Sequence, residues 1–337
     1  MGNYAMSGDF LHGGATDRMH MRFPNAPEPW IDLSTGINPW PYWDTAVSSE
    51  AFKRLPTEAA YRACLCAMAK AIGTAEEFVA LAPGSELLIR LLPVLIHPRK
   101  VAILSPTYGD HSVVWRQAGA DVIETRNPLA DVEAVEAIII CNPNNPDGRT
   151  FSPDVLEEAR RELAQRGGWL IVDEAYGDLD PTNSISPAGG RDGQIIIRSF
   201  GKFFGLAGTR LGALIAPAPL RAAMADQLGV WPVSGGALEI GARAYADLDW
   251  QARTRIALAD ASARLKDILL AGGLKPVGGT DLFQYVEIDD AHAIWEHLAR
   301  KGIYVRRFDW SDRHLRIGLP ANSQEEAWLA KALSLSI

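Results

Sequence analysis

The chain has 337 residues, 47% hydrophobic and 22% charged, with a formal net charge of −8. That size and composition suit a globular protein with a large domain and a smaller one, and the acidic balance excludes the basic face that nucleic acid requires. Its three cysteines, Cys64, Cys66 and Cys141, fit neither a zinc ribbon nor a disulfide framework. They read as reduced thiols and point to the cytoplasm. The opening MGNYAMSGDFLHGG lacks the features of a signal peptide. No apolar run approaches the roughly 20 residues of a membrane span.

The first ~45 residues, rich in Pro, Gly and Trp, read as an irregular segment. Trp30, Ile31, Leu33, Ile37, Trp40 and Trp43 make it an ordered arm rather than a disordered tail. Helices and short apolar strands then alternate. Thr57 caps a helix to about Ile72, and Ser85–Ile96 forms the next. Val101–Leu104 is a strand leading through SPTYGD into a helix. Ala137–Cys141 is a strand ending in the loop NPNNPDG. Ser152 and Pro153 start a helix. WLIVDE, QIIIRS and LGALIAP continue as strands. After Pro232 come helices from Gly235 to about Asp247 and from Trp250 to Ala271. A small α+β region follows: LFQYVEI, a helix over 291–301, IYVRRF, HLRIGL and a helix over 325–335. The expected organisation is an arm (1–45), a large α/β domain (46–232), and a helical connection with a small domain (233–337).

Near-continuous apolar strands separated by helices imply a mostly parallel sheet covered on both faces, with ligands beyond the carboxyl ends of its strands. Those ends carry Asn142 and Asn145, Asp173 and Tyr176, and Ser199 and Lys202. Lys202 lies in RSFGKFFGLAGTRLG, where a lysine is either a loop residue snorkelling to solvent or a covalent catalyst held in a pocket. Asp173–Glu174 alone suits a helix cap or a magnesium site, Tyr176 alone a core position, and NPNNPDG alone a turn. Taken together they supply what a pyridoxal 5'-phosphate enzyme needs. Lys202 is an amine for the aldehyde, and Asp173 a carboxylate for the ring nitrogen. Tyr176 and Asn145 are donors for the phenolic oxygen, and Tyr108 is an aromatic face. Gly84, Ser85 and Glu86 open a helix toward the phosphate, with Ser199 and Arg210 beside them.

The motifs PTYG, NPNNPDG, VDEAYGD, SFGKFFGLAGTRLG and LRIGL resemble the fold type I pyridoxal-phosphate enzymes of the class I/II aminotransferase superfamily, in the histidinol-phosphate aminotransferase branch. LHGGATDRM and IDLSTGINPWP resemble, within it, the threonine-phosphate decarboxylases of cobalamin biosynthesis. The resemblance implies a homodimer that converts L-threonine O-3-phosphate to (R)-1-amino-2-propanol O-2-phosphate and CO2. The alternatives are an aminotransferase acting on histidinol phosphate or another amino acid, and an inactive binding module. The resemblance assigns Arg316 to the substrate carboxylate and Asn38 to a segment closing on the substrate. Arg306, His12 and Gly13 are candidates for the distal phosphate, with Arg307 on the opposite face of the strand. Three positions depart from the pattern. Leu55 replaces a tyrosine that reaches the partner's cofactor phosphate, Gly201 replaces a Ser or Thr, and Asp147 replaces a Thr in NPTG. Gly201 and Gly205 are expected to admit a bulky cofactor, and Gly208 to let Arg210 turn back toward the phosphate.

Overall fold

The computed structural model describes residues 13–334, so His12 lies outside the described residues. The strands are β1 (Ile31–Leu33), β2 (Val79–Ala82), β3 (Lys100–Leu104), β4 (Asp121–Thr125), β5 (Ala137–Cys141), β6 (Trp169–Glu174), β7 (Gln194–Ser199), β8 (Gly212–Ile215), β9 (Lys275–Thr280), β10 (Phe283–Glu287), β11 (Ile303–Phe308) and β12 (Ser311–Gly318). The helices are α1 (Thr16–Arg22), α2 (Glu50–Lys53), α3 (Glu58–Ile72), α4 (Ser85–Leu95), α5 (Asp110–Gln117), α6 (Pro153–Ala164), α7 (Ala218–Leu228), α8 (Gly235–Ala246), α9 (Leu248–Ala271), α10 (Ala291–Arg300) and α11 (Ser323–Ser334). The chain divides into two compact units. The larger is Trp40–Arg255; the smaller joins the residues up to Pro39 to those from Ile256 onward.

The larger unit holds a seven-stranded sheet in the order β2-β8-β7-β6-β5-β3-β4. Strands β3 to β7 are mutually parallel, whereas β8 runs antiparallel to both β7 and β2. Strands β5 and β7 are buried along their whole length; β5 is apolar throughout, whereas β7 also buries the polar Gln194, Arg198 and Ser199 around its Ile195–Ile197 centre. Leu88, Ile89, Val114 and Trp115 from α4 and α5 share one core with Ile139, Ile171, Ile195 and Ile197. Thr57 caps α3 through its hydroxyl, which accepts from the Ala60 amide at 3.2 Å. Ser152 differs from expectation: it occupies the cap position of α6 without a side-chain cap bond, and Pro153 supplies the start signal. Cys64, Cys66 and Cys141 are free thiols. Burial pushes the Cys64 thiol up to about 12. Among the described residues no helix is long and apolar enough to cross a membrane.

The smaller unit holds a five-stranded sheet in the order β1-β11-β12-β10-β9. The segment expected to be irregular contains α1 and β1, and β1 joins this sheet in parallel with β11, Ile31 facing Ile303. Ile31 and Leu33 are buried there, whereas Trp43, counted with the same ordered arm, is 71% exposed. The edge strand β9, KPVGGT, gives no strand signal because Pro and paired Gly weaken it.

Candidate active site

Sheet topology decides which loops meet. Parallel strands β3, β5, β6 and β7 present their carboxyl ends at one edge, followed by Tyr108, Asn145, Tyr176 and Lys202. Strand β2 is antiparallel to β8, which is antiparallel to β7, so β2 also ends at that edge and leads into Gly84, Ser85 and Glu86. Because β8 is reversed, its beginning lies there, which brings Arg210 to the same place. All ten positions expected to hold the cofactor therefore lie along one edge of the larger unit. Asp173, Tyr176 and Ser199 are buried, and Lys202 and Asn145 are partly open.

Asp173 sits in β6 directly across from Cys141 in β5. Its Oδ1 accepts from the Ala175 amide at 3.0 Å, and its Oδ2 lies 3.0 Å from His111 Nε2 and 3.9 Å from Cys141 Sγ. Sequence reasoning missed His111, which α5 carries one turn beyond Tyr108. Burial works against the charged imidazole, but Cys141 and Asp173 outweigh it and hold His111 up at about 10. The folded-state value exceeds the ordinary 6.5, so the stabilisation is complete below about pH 6.5 and is lost as pH rises through about 10. The unfolding free energy should fall across that window. His111→Asn should flatten the fall, as read by denaturant titrations at a series of pH values.

Gly84 precedes α4 at φ +90°, and a Cβ there would come within 2.6 Å of Arg210 Nη2. A Cβ on Gly212 would come within 2.7 Å of the Ser85 nitrogen. The first amides of α4, the guanidinium of Arg210 and the start of β8 thus form a close-fitted cradle, suited to an anion at a helix N-terminus. This geometry fits the phosphate of the expected cofactor. The turn back toward it is made differently from the sequence expectation. Arg210 itself takes the left-handed conformation, φ 53°, and Gly208 faces open space. Gly201 is a packing position: a Cβ there would lie 2.8 Å from Ala207 Cα. Gly201→Ser should therefore cost about 1–3 kcal/mol of stability by overpacking rather than restore a phosphate hydroxyl. Thermal denaturation of the variant checks this.

The loop after β5 is tied down by its own side chains. Asn144 Nδ2 donates to Pro106 O at 2.9 Å and to Asp147 Oδ1 at 2.7 Å. Asp147 Oδ1 also accepts from the Arg149 amide at 3.1 Å, so the aspartate that replaces threonine in this loop has a local structural task. Glu174 turns away from the site. It accepts from Ser184 Oγ (2.6 Å), the Ile185 amide (2.7 Å), Ser186 Oγ (2.7 Å) and Arg198 Nη1 (2.8 Å). That commitment leaves no magnesium role for the Asp173–Glu174 pair.

In the smaller unit, Arg306 and Arg316 face each other across β11 and β12. Arg316 is buried, donates from Nη2 to the Ser34 carbonyl at 2.7 Å, and lies over the Phe283 ring at 5.1 Å. Burial, then the neighbouring Arg316 charge, lowers Arg306 to about 10. Arg307 points to the other face, 5.3 Å from the Trp295 ring. Ser34 also organises the glycines: its Oγ accepts from the Gly14 amide at 2.8 Å and donates to Asp32 Oδ1 at 2.6 Å. A Cβ on Gly13 would come within 2.4 Å of the Ser34 carbonyl oxygen, so only glycine fits. Asn38 is buried in the same unit. Gly13, Arg306 and Arg316 are thus linked through Ser34 and the β11–β12 pairing.

The chain belongs to the aminotransferase class I and II family, whose model matches residues 30–330. Two curated relatives, from Pseudomonas aeruginosa and a Sinorhizobium species, are threonine-phosphate decarboxylases. The first is 40% identical over 320 residues, 94% of each chain; the second is 40% identical over 336 residues, 98% of this chain and 99% of the relative. The fold matches that of histidinol-phosphate aminotransferase from Sinorhizobium meliloti, solved with pyridoxal-5'-phosphate, at a TM-score of 0.79 with 19% identity over 95% of this chain and 94% of that one. It also matches L-threonine-O-3-phosphate decarboxylase from Porphyromonas gingivalis at a TM-score of 0.76, with 18% identity over 90% and 98% of the two chains. The architecture is fold type I, as the motif resemblance implied, with the large, mostly parallel, helix-flanked sheet that the apolar strand pattern implied.

Proposed function

We propose that the protein is a pyridoxal 5'-phosphate-dependent decarboxylase that converts L-threonine O-3-phosphate to (R)-1-amino-2-propanol O-2-phosphate and CO2, the aminopropanol unit used in cobalamin biosynthesis. The observation that carries this reading is the pair of opposed arginines, Arg306 and Arg316, suited to a substrate with two anionic groups. Bound beyond the sheet edge, the cofactor supplies an electron sink for the pair left on the α-carbon when CO2 departs. Lys202 would hold its aldehyde before substrate takes its place, and the freed Lys202 amine or water would supply the proton that replaces CO2 at the α-carbon. Asp173, fixed by His111 and the Ala175 amide, keeps the ring nitrogen protonated. Tyr176 and Asn145 bind the phenolic oxygen and Tyr108 covers the ring. Ser199, Arg210 and the amides of Gly84, Ser85 and Glu86 hold the phosphate. Arg316 takes the substrate carboxylate, Arg306 takes the distal phosphate with His12 and Gly13, and Asn38 closes on the substrate.

The deciding experiment incubates the cofactor-loaded protein with L-threonine O-3-phosphate and measures CO2 and aminopropanol phosphate. Amino transfer that depends on a keto acid, without CO2, would establish an aminotransferase instead. Arg306→Ala should lower kcat/KM for the phosphorylated substrate about 10–100-fold, the worth of a charge-assisted contact, and change that for free threonine far less. Equal losses would remove Arg306 from the phosphate. The protein works as a cytoplasmic homodimer in this reading. Phe52 and Leu55, 77% and 62% exposed, are apolar surface that a second copy would cover. Sedimentation tests the dimer directly.

A further inference from the structure

Two charged residues without a part in the site described so far, Arg90 and Asp110, converge with Glu86 on the hydroxyl of Tyr108. The Tyr108 hydroxyl donates to Glu86 Oε2 at 2.9 Å. Arg90, one turn further along α4, places Nε 2.7 Å from Glu86 Oε1 and Nη2 3.2 Å from Asp110 Oδ1. Asp110 is buried at the first position of α5, which packs against α4. Burial and the two carboxylates keep the phenol protonated well above its ordinary range, so it remains a donor at any working pH. The Tyr108 ring also meets His111 edge-on, with centroids 6.0 Å apart.

A tyrosine ring turns about two side-chain torsions. Contacts along the ring, such as that of His111, restrain rotation about the ring's long axis, whereas a bond at its far tip pins the direction of that axis. Glu86 makes that bond from the opening turn of α4, where its own backbone amide belongs to the anion cradle. Arg90 offsets the charge of a carboxylate placed so close to an expected phosphate, and α4 gains from an acidic group in its first turn.

We propose that Glu86, steadied by Arg90 and Asp110, is a positioning residue that locks Tyr108 as the platform for the cofactor ring and so ties ring placement to phosphate placement. This rests on the assignment of pyridoxal phosphate to the site. The predicted signature is energetic coupling between Glu86 and Tyr108, read on cofactor rather than on turnover.

The test uses the full-length holoprotein with two readouts, the cofactor dissociation constant and the visible circular dichroism of the bound cofactor. Tyr108→Phe and Glu86→Leu should each weaken cofactor binding about tenfold and change the dichroic band in the same way. The double variant should bind no more weakly than Glu86→Leu alone. Glu86→Gln keeps an acceptor for the phenol and should recover most of both signals. Losses that multiply in the double variant, or a Glu86→Leu band identical to wild type, would overturn the proposal. If Glu86→Leu does not fold, Asp110→Asn carries the test: it should shift the band in the same sense as Tyr108→Phe, and an unchanged band overturns the proposal. Wild-type protein that takes up no cofactor would instead overturn the underlying assignment.

Discussion

Lys202→Ala should abolish the visible absorbance of covalently held cofactor and lower decarboxylation at least about 10³-fold, while the protein still folds. The structure separates these effects. Lys202 projects from a turn whose neighbours, not itself, carry the packing. Phe200, Phe203 and Phe204 are fully buried. Phe204 stacks on Trp250 with centroids 5.7 Å apart and planes 11° apart, and on Phe200 at 4.6 Å. The Phe204 carbonyl accepts from the Tyr42 amide at 2.9 Å, and the Lys202 carbonyl accepts from the Gly205 amide at 3.2 Å. None of these contacts uses the lysine side chain beyond Cβ. Absorbance titration with added cofactor, together with the CO2 assay, measures both effects. A band that survives the substitution would remove Lys202 from its role.

Arg198→Met should reduce the unfolding free energy by about 3–5 kcal/mol, the largest stability loss expected from one substitution in the larger unit. Arg198 is buried in β7 between two buried carboxylates: Nη1 lies 2.8 Å from Glu174 Oε2, and Nη2 bonds Asp178 Oδ1. Arg255 adds a bond from Nε to the Asp178 carbonyl at 2.8 Å. Burial drives the Asp178 carboxyl above its ordinary range even with Arg198 and Arg255 beside it. Without Arg198 two carboxylates would remain in the core with one cation withdrawn. Denaturant titration measures the loss. Adding Glu174→Gln to Arg198→Met should recover part of it, because the amide removes one of the stranded charges. A loss below 1 kcal/mol would show that water reaches the cluster.

The central strands and the polar groups at their ends were legible because a strand covered on both faces must be apolar throughout, so Asp173 and Ser199 stand out against it. His111 was not legible. A histidine in the opening turn of a short helix carries no signal of its own, and its partner Asp173 lies 62 positions away. Its spacing of three from Tyr108 was the available hint. Local propensity also gave the turn toward the phosphate to Gly208, because glycine bends with the least strain. In the Lys202 loop the left-handed residues are Gly205, at φ 68°, and Arg210 itself, at φ 53°. Strand β1 was hidden because three residues among prolines form a strand only when a partner supplies the other half of the ladder.

That partner has a consequence for synthesis. Trp40–Arg255 is one contiguous stretch, able to fold as soon as it has emerged from the ribosome. The smaller unit cannot, because β1 waits for β11, and Ser34 waits for Arg316 across 282 positions. During translation the first part of the chain therefore remains without its ladder until the last strands arrive. Protease sensitivity of ribosome-bound chains should reveal an early resistant core and a late-protected leading segment.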